Sequence, residues 1–252
     1  MSGTVHLVGA GPGAPDLLTL RAARLLAEAD VVFHDALVHP ETVALATHAE
    51  KIAVGKRCGK HSTAQRFINK RLVDAALAHR VVVRLKGGDP LLFGRAQEEI
   101  DALEAAGIAY EVVPGITAAL ASAAATGTSL SQRGTVRSIA LATPRVGDGE
   151  DTSDWARGFA NADAGAIYMG IGEAAAVAAA LRAAGKPSSW PVVIVESASL
   201  PGQRIVYTTL AELSELDFGQ FNGPALLLMG PQFVERHAAA LDVVKPLQRV
   251  HG

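Results

Sequence analysis

An α/β fold in two domains, a mainly parallel sheet in the first and a mixed sheet in the second, is predicted by three features of this 252-residue chain. Short runs rich in Val and Ile alternate with helix-like stretches along the whole sequence. In the first half the runs are spaced widely enough for a crossover helix, which calls for parallel strands covered on both faces. In the second half, Val192–Val195 and Ile205–Tyr207 are joined only by the turn-rich SASLPGQ, a spacing that suits an antiparallel hairpin.

The elements follow in order. Val5–Val8 is an apolar run that ends in the glycine-rich VGAGPGAPD, and Thr19 stands as the N-cap of a helix over Leu20–Glu28. Strands are predicted at Val31–His34 and Ile52–Val54. Ser62 and Gln65 have the spacing of a capping box for a helix over Thr63–Ala78. A strand at Val81–Leu85, a helix at Ala96–Ala106, a strand at Tyr110–Val113 and a helix at Ile116–Ala125 complete the first series. Small and polar residues in GTSLSQRGTV, 127–136, break the pattern. The boundary is therefore placed between an N-terminal domain of residues 1–134 and a C-terminal domain of residues 135–252. The second series has strands at Ile139–Ala142, Ala166–Met169, Val192–Val195, Ile205–Tyr207 and Ala225–Met229. Its helices are predicted at Glu173–Ala184, Leu210–Leu216 and roughly Val234–Leu241, with Thr209 and Glu212 as a second capping box. The acidic, turn-rich Gly147–Asp154 reads as a solvated loop.

Composition narrows the function. A net charge of −2 leaves no electrostatic footprint for nucleic acid on the molecule as a whole. One cysteine, Cys58, rules out an internal disulfide and fits a reducing compartment. No apolar stretch is long enough to span a membrane, and the opening residues lack a signal peptide's basic and apolar regions, so a cytoplasmic location is expected.

Gly9, Gly11 and Ala14 fit the G-x-G-x-x-G/A pattern of dinucleotide-binding loops. Pro12 and Pro15, however, each remove an N–H donor from the segment that would cradle a pyrophosphate. The predicted helix also starts only near Thr19, too late to aim its N-terminus at an anion held there. Other strand ends carry glycine or proline as well: AVGKR, RLKGGDP, VVPGITA and YMG. Ligands sit outside the carboxyl ends of strands in such sheets, and glycine lets the backbone approach them closely. Each glycine alone is a turn; together they suggest a ligand held by main-chain groups.

In order and spacing, VGAGPGAPDLLTLRAARLLAEADVVFHDALV, VGKRCGKHS, VVRLKGGDPLLFGRAQEE, EVVPGITAALASAAATG, YMG and PVVIVESASLPGQR resemble the tetrapyrrole methylase family across nearly the whole chain. The resemblance implies two α/β domains with S-adenosylmethionine in a cleft between them, a homodimer, and no metal. It further implies methyl transfer to C2 and C7 of uroporphyrinogen III, giving precorrin-2 and releasing S-adenosylhomocysteine.

The resemblance also assigns residues, and each has a plainer alternative. Pro12, Gly87, Gly88, Asp89, Leu92, Thr117, Ala118, Met169, Ala198 and Ala225 match donor-binding positions. Asp89 before Pro90 is equally a turn pair, Thr117 a helix cap, Leu92 and Met169 packing, and Ala225 a strand start. Asp35 and Lys56 match a proton acceptor and donor, although Asp35 could instead cap the next segment and Lys56 pair with a substrate carboxylate. Arg95 and Glu98 match a charged pair lining the acceptor site, and at this spacing could form a simple surface ion pair. The polycarboxylate substrate calls for local cations, for which Lys56, Arg57, Lys60, His61, Arg66, Arg95, Arg133 and Arg137 are available. The chain departs from the family pattern on the acceptor side. HDALV replaces YDRLV, so an arginine is absent at Ala36, and GRAQEE replaces GRGGEE at Ala96 and Gln97. Three alternatives stay open: a sibling acting on a later corrin precursor, a nicotinamide-dependent oxidoreductase, and a tetrapyrrole-binding module without turnover.

Overall fold

A computed structural model describes residues 2–54, 65–147, 153–236 and 238. It divides into two compact units, Met1–Ala118 and Ala119–Gly252. The division falls ahead of the polar stretch 127–136 at which the sequence pattern breaks.

The first unit alternates strand and helix: β1 (Thr4–Gly9), α1 (Leu20–Glu28), β2 (Val31–His34), α2 (Pro40–Ala44), β3 (Glu50–Ala53), α3 (Gln65–Ala78), β4 (Val81–Lys86), α4 (Ala96–Ala105) and β5 (Ala109–Val113). All five strands are parallel, in the order β3-β2-β4-β1-β5. Side chains alternate between the two faces of the sheet. Val8, Val32, Val83 and Leu85 pack with Leu25 and Leu26 of α1 and Val43 of α2. Val5, Leu7, Val31, Phe33 and Val82 pack with Leu72 of α3 and Ile100 and Leu103 of α4. Each fully buried Leu or Val contributes about 1.5–3 kcal/mol relative to exposure, so both faces of the sheet are closed by core. As the sequence predicts, Thr19 caps α1: its hydroxyl accepts the Ala22 N–H at 3.1 Å.

The second unit contains α5 (Ala118–Thr126, whose first residue belongs to the first unit), β6 (Ile139–Ala142), α6 (Trp155–Ala160), β7 (Ala164–Ile167), α7 (Ala174–Ala183), β8 (Pro191–Glu196), β9 (Arg204–Thr209) and β10 (Ala225–Met229). The strand order is β6-β7-β10-β8-β9, with β6 parallel to β7 and the other neighbours antiparallel. The sheet is mixed, and β8–β9 is the hairpin the short turn requires. Phe159, Val177, Leu181 and Leu213 cover one face against Ile194, Leu227 and Met229.

Some expectations shift. The strand expected over Ala166–Met169 runs over Ala164–Ile167, and Met169 lies beyond it with φ 55°. The helix expected over Leu210–Leu216 is one 3-10 turn, Glu212–Ser214, although its capping box forms: Thr209 N–H donates to Glu212 Oε2 at 2.9 Å, and Glu212 N–H to Thr209 Oγ1 at 3.3 Å. Leu210 and Leu213 are buried by that single turn. Of the helix expected over Val234–Leu241, the described residues Val234, Glu235, Arg236 and Ala238 are helical and the other half lies outside the described residues, as does Ser62. Among the described residues, no helix is long and apolar enough to cross a membrane.

Candidate active site

In the first sheet, the chain leaves β1 toward β2 and leaves β4 toward β5, in opposite directions, although β1 and β4 are neighbours. Such a switch point opens a crevice at the carboxyl ends of the strands. The loops there are joined by backbone. Gly88 N–H donates to Gly11 O at 2.7 Å, and Gly11 N–H to Gly88 O at 3.2 Å. Gly88 has φ +67°, and a Cβ at Gly9 would stand 2.8 Å from Gly88 O. Those two positions need glycine for the fold itself.

The Asp89 carboxylate ties the same loops together. Oδ1 accepts the Leu91 N–H at 2.9 Å and Oδ2 the Gly115 N–H at 3.0 Å. Leu92 donates its N–H to Asp89 O at 3.3 Å and is half-buried, as are Pro12, Thr117 and Ala118. Gly87 differs. A Cβ there would meet only the Leu37 Cβ at 3.6 Å, so open space lies over the end of β4. After β1 the chain makes a 3-10 turn at Pro15–Leu17, and α1 starts only at Leu20. No helix N-terminus follows the glycines directly, as a pyrophosphate site requires.

Asp35 follows β2 and extends its ladder, its N–H donating to Leu85 O at 3.2 Å. Its side chain does not cap the next segment. Oδ1 accepts from Arg84 Nη2 at 2.6 Å. Arg84 Nε donates to Glu99 Oε1 at 2.9 Å, and Lys86 Nζ to Glu99 Oε2 at 2.9 Å. Gln65 Nε2 also donates to Glu99 Oε1, at 3.3 Å. Arg84 and Lys86 side chains are 3% exposed, Glu99 0% and Asp35 30%. Buried charges persist only when paired and hydrogen-bonded. Here two cations meet two carboxylates. Burial works against the Arg84 charge, but Asp35 and Glu99 outweigh it and hold its pKa above the usual value. Burial, reinforced by Arg84, draws Lys86 below the ordinary lysine range, with Glu99 and Asp35 opposing.

Arg95 and Glu98 form a bidentate pair, Nε to Oε1 at 2.6 Å and Nη2 to Oε2 at 2.8 Å, on the surface at the start of α4. Arg95 has φ 55° and Phe93 φ 53°. Left-handed conformations at two bulky residues show a loop whose course is imposed by its surroundings. Arg66, Arg133 and Arg137 are exposed. Lys56, Arg57, Lys60 and His61 lie outside the described residues.

In the second unit, the candidates gather at one edge of the sheet. The register pairs Ala225 with Glu196 and Leu227 with Ile167, which sets the start of β10 beside the ends of β7 and β8. Met169 (44% exposed), Ala198 and Ala225 sit there. Met169, Ser197 and Ser199 all have positive φ, at 55°, 51° and 70°. The buried Glu196 carboxylate clamps the edge, Oε1 accepting the N–H groups of Asn222 at 2.6 Å and Gly223 at 2.7 Å. Tyr168 Oη accepts the Ala119 N–H at 3.2 Å.

Arg84, Lys86, Glu99 and Glu196 are absent from the residues read off the sequence. The signal was present for the first three. Cations in a strand buried on both faces demand a buried partner. Glu99 falls on the apolar stripe Ala96, Ile100 and Leu103 of α4.

Comparison with known proteins sets this geometry in context. A family model described as Tetrapyrrole (Corrin/Porphyrin) Methylases matches residues 4–214. The chain is 42% identical to a uroporphyrin-III C-methyltransferase from Thermus thermophilus complexed with S-adenosylhomocysteine, over 91% of this chain and 98% of that one, with a TM-score of 0.80. It is 27% identical to a cobalt precorrin-4 methyltransferase, over 90% and 94% of the two chains, with a TM-score of 0.76. Siroheme synthases of Psychrobacter sp. (strain PRwf-1) and Azotobacter vinelandii are 43% and 44% identical over 90% of this chain. Those matches cover 47% and 50% of the synthases, so the chain spans about half the length of the curated relatives it matches.

Proposed function

Because the chain belongs to the tetrapyrrole methylase family, we propose that it transfers methyl groups from S-adenosylmethionine to C2 and C7 of uroporphyrinogen III, giving precorrin-2, and that it works as a homodimer. The observation that carries this reading is the similarity to the Thermus enzyme over 98% of that chain, in a structure holding the demethylated donor. The residues present fit such a donor. It has no phosphate, and the glycine-rich edge offers none of the helix N-terminal donors a phosphate needs. The open space at Gly87 is where backbone can meet a ligand without an intervening side chain.

The donor supplies an electrophilic methyl group on a sulfonium sulfur. Pro12, Gly87, Gly88, Leu92, Thr117, Ala118, Met169, Ala198 and Ala225 are the residues to hold it in this reading. Asp89 serves by fixing the loops that carry them. Asp35 is the proton acceptor: a pyrrole gives up its N–H proton as its carbon is alkylated, and Oδ2 of Asp35 receives it. A positioned base typically contributes about 10²–10⁴-fold. Lys56 remains the proton donor in this reading. Arg95, held by Glu98, and the exposed Arg66 meet substrate carboxylates.

The test is to incubate the pure protein anaerobically with methyl-labelled donor and uroporphyrinogen III. Label in precorrin-2 is the expected result. No label in uroporphyrinogen III, with label entering a later corrin precursor supplied in a parallel incubation, points to the sibling activity, which the changes at Ala36, Ala96 and Gln97 would then explain. Calorimetry against S-adenosylhomocysteine and NADH completes it, and preferential NADH binding overturns the transferase reading.

A further inference from the structure

The buried charges behind Asp35 form one connected chain, Asp35–Arg84–Glu99–Lys86, with links of 2.6, 2.9 and 2.9 Å. Only its Asp35 end reaches solvent, at 30% exposure. Among the described residues, the structure shows no partner for Asp35 Oδ2. Arg84 is itself fixed at three points, by Asp35, by Glu99 and by a bond from Nη1 to Leu85 O at 3.2 Å. That is more than stability asks for. A buried ion pair is often no more stabilising than apolar residues of equal volume, and Val82, Ile100 and Leu103 supply apolar packing on the same side of the sheet.

We propose that Arg84 and Glu99 are positioning residues for Asp35. Glu99 fixes the guanidinium, and the guanidinium holds one Asp35 oxygen so that the other faces the acceptor as the base. The inference rests on the assignment of Asp35 as proton acceptor. The proton goes from the pyrrole nitrogen to Oδ2, while Oδ1 stays bonded to Arg84 and spreads the charge onto it. Lys86 neutralises the second Glu99 oxygen, so the chain carries no net charge. The groups facing Asp35 among the described residues are Arg84 from β4, with Lys86 and Glu99 behind it, and His34 on its own segment, whose Nδ1 lies 3.3 Å from Asp35 O.

The experiment compares wild type with Arg84→Gln, Arg84→Lys and Glu99→Gln. Expected is a fall in kcat of roughly tenfold or more in each variant, with S-adenosylhomocysteine affinity and substrate KM within about twofold. Arg84→Lys keeps the charge but loses the fork geometry, and it stands in where the glutamine variants fail to accumulate. A second readout needs no turnover. The Asp35 carboxyl carbon resonance, identified by its loss in Asp35→Asn, is titrated with pH. It moves to lower pH in Glu99→Gln and to higher pH in Arg84→Gln, by roughly half a pH unit or more. Unchanged titrations overturn the coupling, and so does unchanged kcat in Arg84→Lys. A wild-type protein inert toward uroporphyrinogen III instead sinks the substrate reading, and the titrations still decide the coupling.

Discussion

A Cβ added at Gly87 meets only Leu37, whereas Gly88 holds φ +67° and shares two backbone bonds with Gly11. The two adjacent glycines are therefore constrained differently: the fold requires glycine at Gly88 and leaves room for a side chain at Gly87, where the proposed function puts the donor. Gly87→Leu should unfold within about 1 kcal/mol of wild type, as substitutions without steric conflict do, yet lose S-adenosylhomocysteine binding by more than about tenfold, read by calorimetry. Gly88→Ala should cost about 1–2 kcal/mol of stability, the penalty for an L-residue in the left-handed region, read by thermal denaturation. The glycines were legible as turn residues in KGGDP, but their division of labour was not. It depends on Leu37 and Gly11, which reach these positions only through the sheet. The same holds for Asp35. Its place after an apolar strand was readable, but its partners lie 49 and more residues away along the chain.

Both sheets begin a strand with the same device. Asp30, just before β2, accepts the N–H groups of Arg80 and Val81 at 2.9 and 2.8 Å. Asp163, just before β7, accepts those of Arg137 and Ser138 at 2.9 and 2.8 Å. These backbone bonds hold both carboxyls below the usual carboxylate range, with the Ser138 hydroxyl adding to the effect at Asp163. A depressed folded pKa gives stability that is present above the unfolded value of 3.8 and lost as pH falls through the lower folded one. Asp30→Ala should thus unfold at lower denaturant concentration at pH 7, and its gap from wild type should narrow below that carboxylate range. Urea titrations at several pH values check this. At this scale the strands were largely legible, because Val- and Ile-rich runs between helix-length gaps leave few other readings. The short helices α2 and α6 were not, since five or six residues carry too little of a 3.6-residue period. The turn at Glu212–Ser214 shows the converse: its capping box was readable, but one turn sufficed to bury Leu210 and Leu213.

With a net charge of −2, the molecule as a whole does not attract a polycarboxylate. In the function proposed, affinity for one must come from cations placed locally, and such exposed interactions are screened over roughly 8–10 Å at moderate salt. Steady-state kinetics should show KM for the tetrapyrrole rising severalfold between low and 0.5 M salt, while KM for S-adenosylmethionine changes by less than about twofold. The order β3-β2-β4-β1-β5 has a further consequence for how the chain is made. Once β3 has left the ribosome, β1 and β2 are both present, yet the place between them is empty. The first sheet cannot grow outward strand by strand during synthesis. It waits for residues 81–86, which enter the gap carrying Arg84 and Lys86 into its middle. Until Glu99 emerges, that nascent centre holds two cations with Asp35 as their only carboxylate among the network's members. The charges at the centre of this sheet are therefore balanced only once residue 99 has followed residues 84 and 86 out of the ribosome.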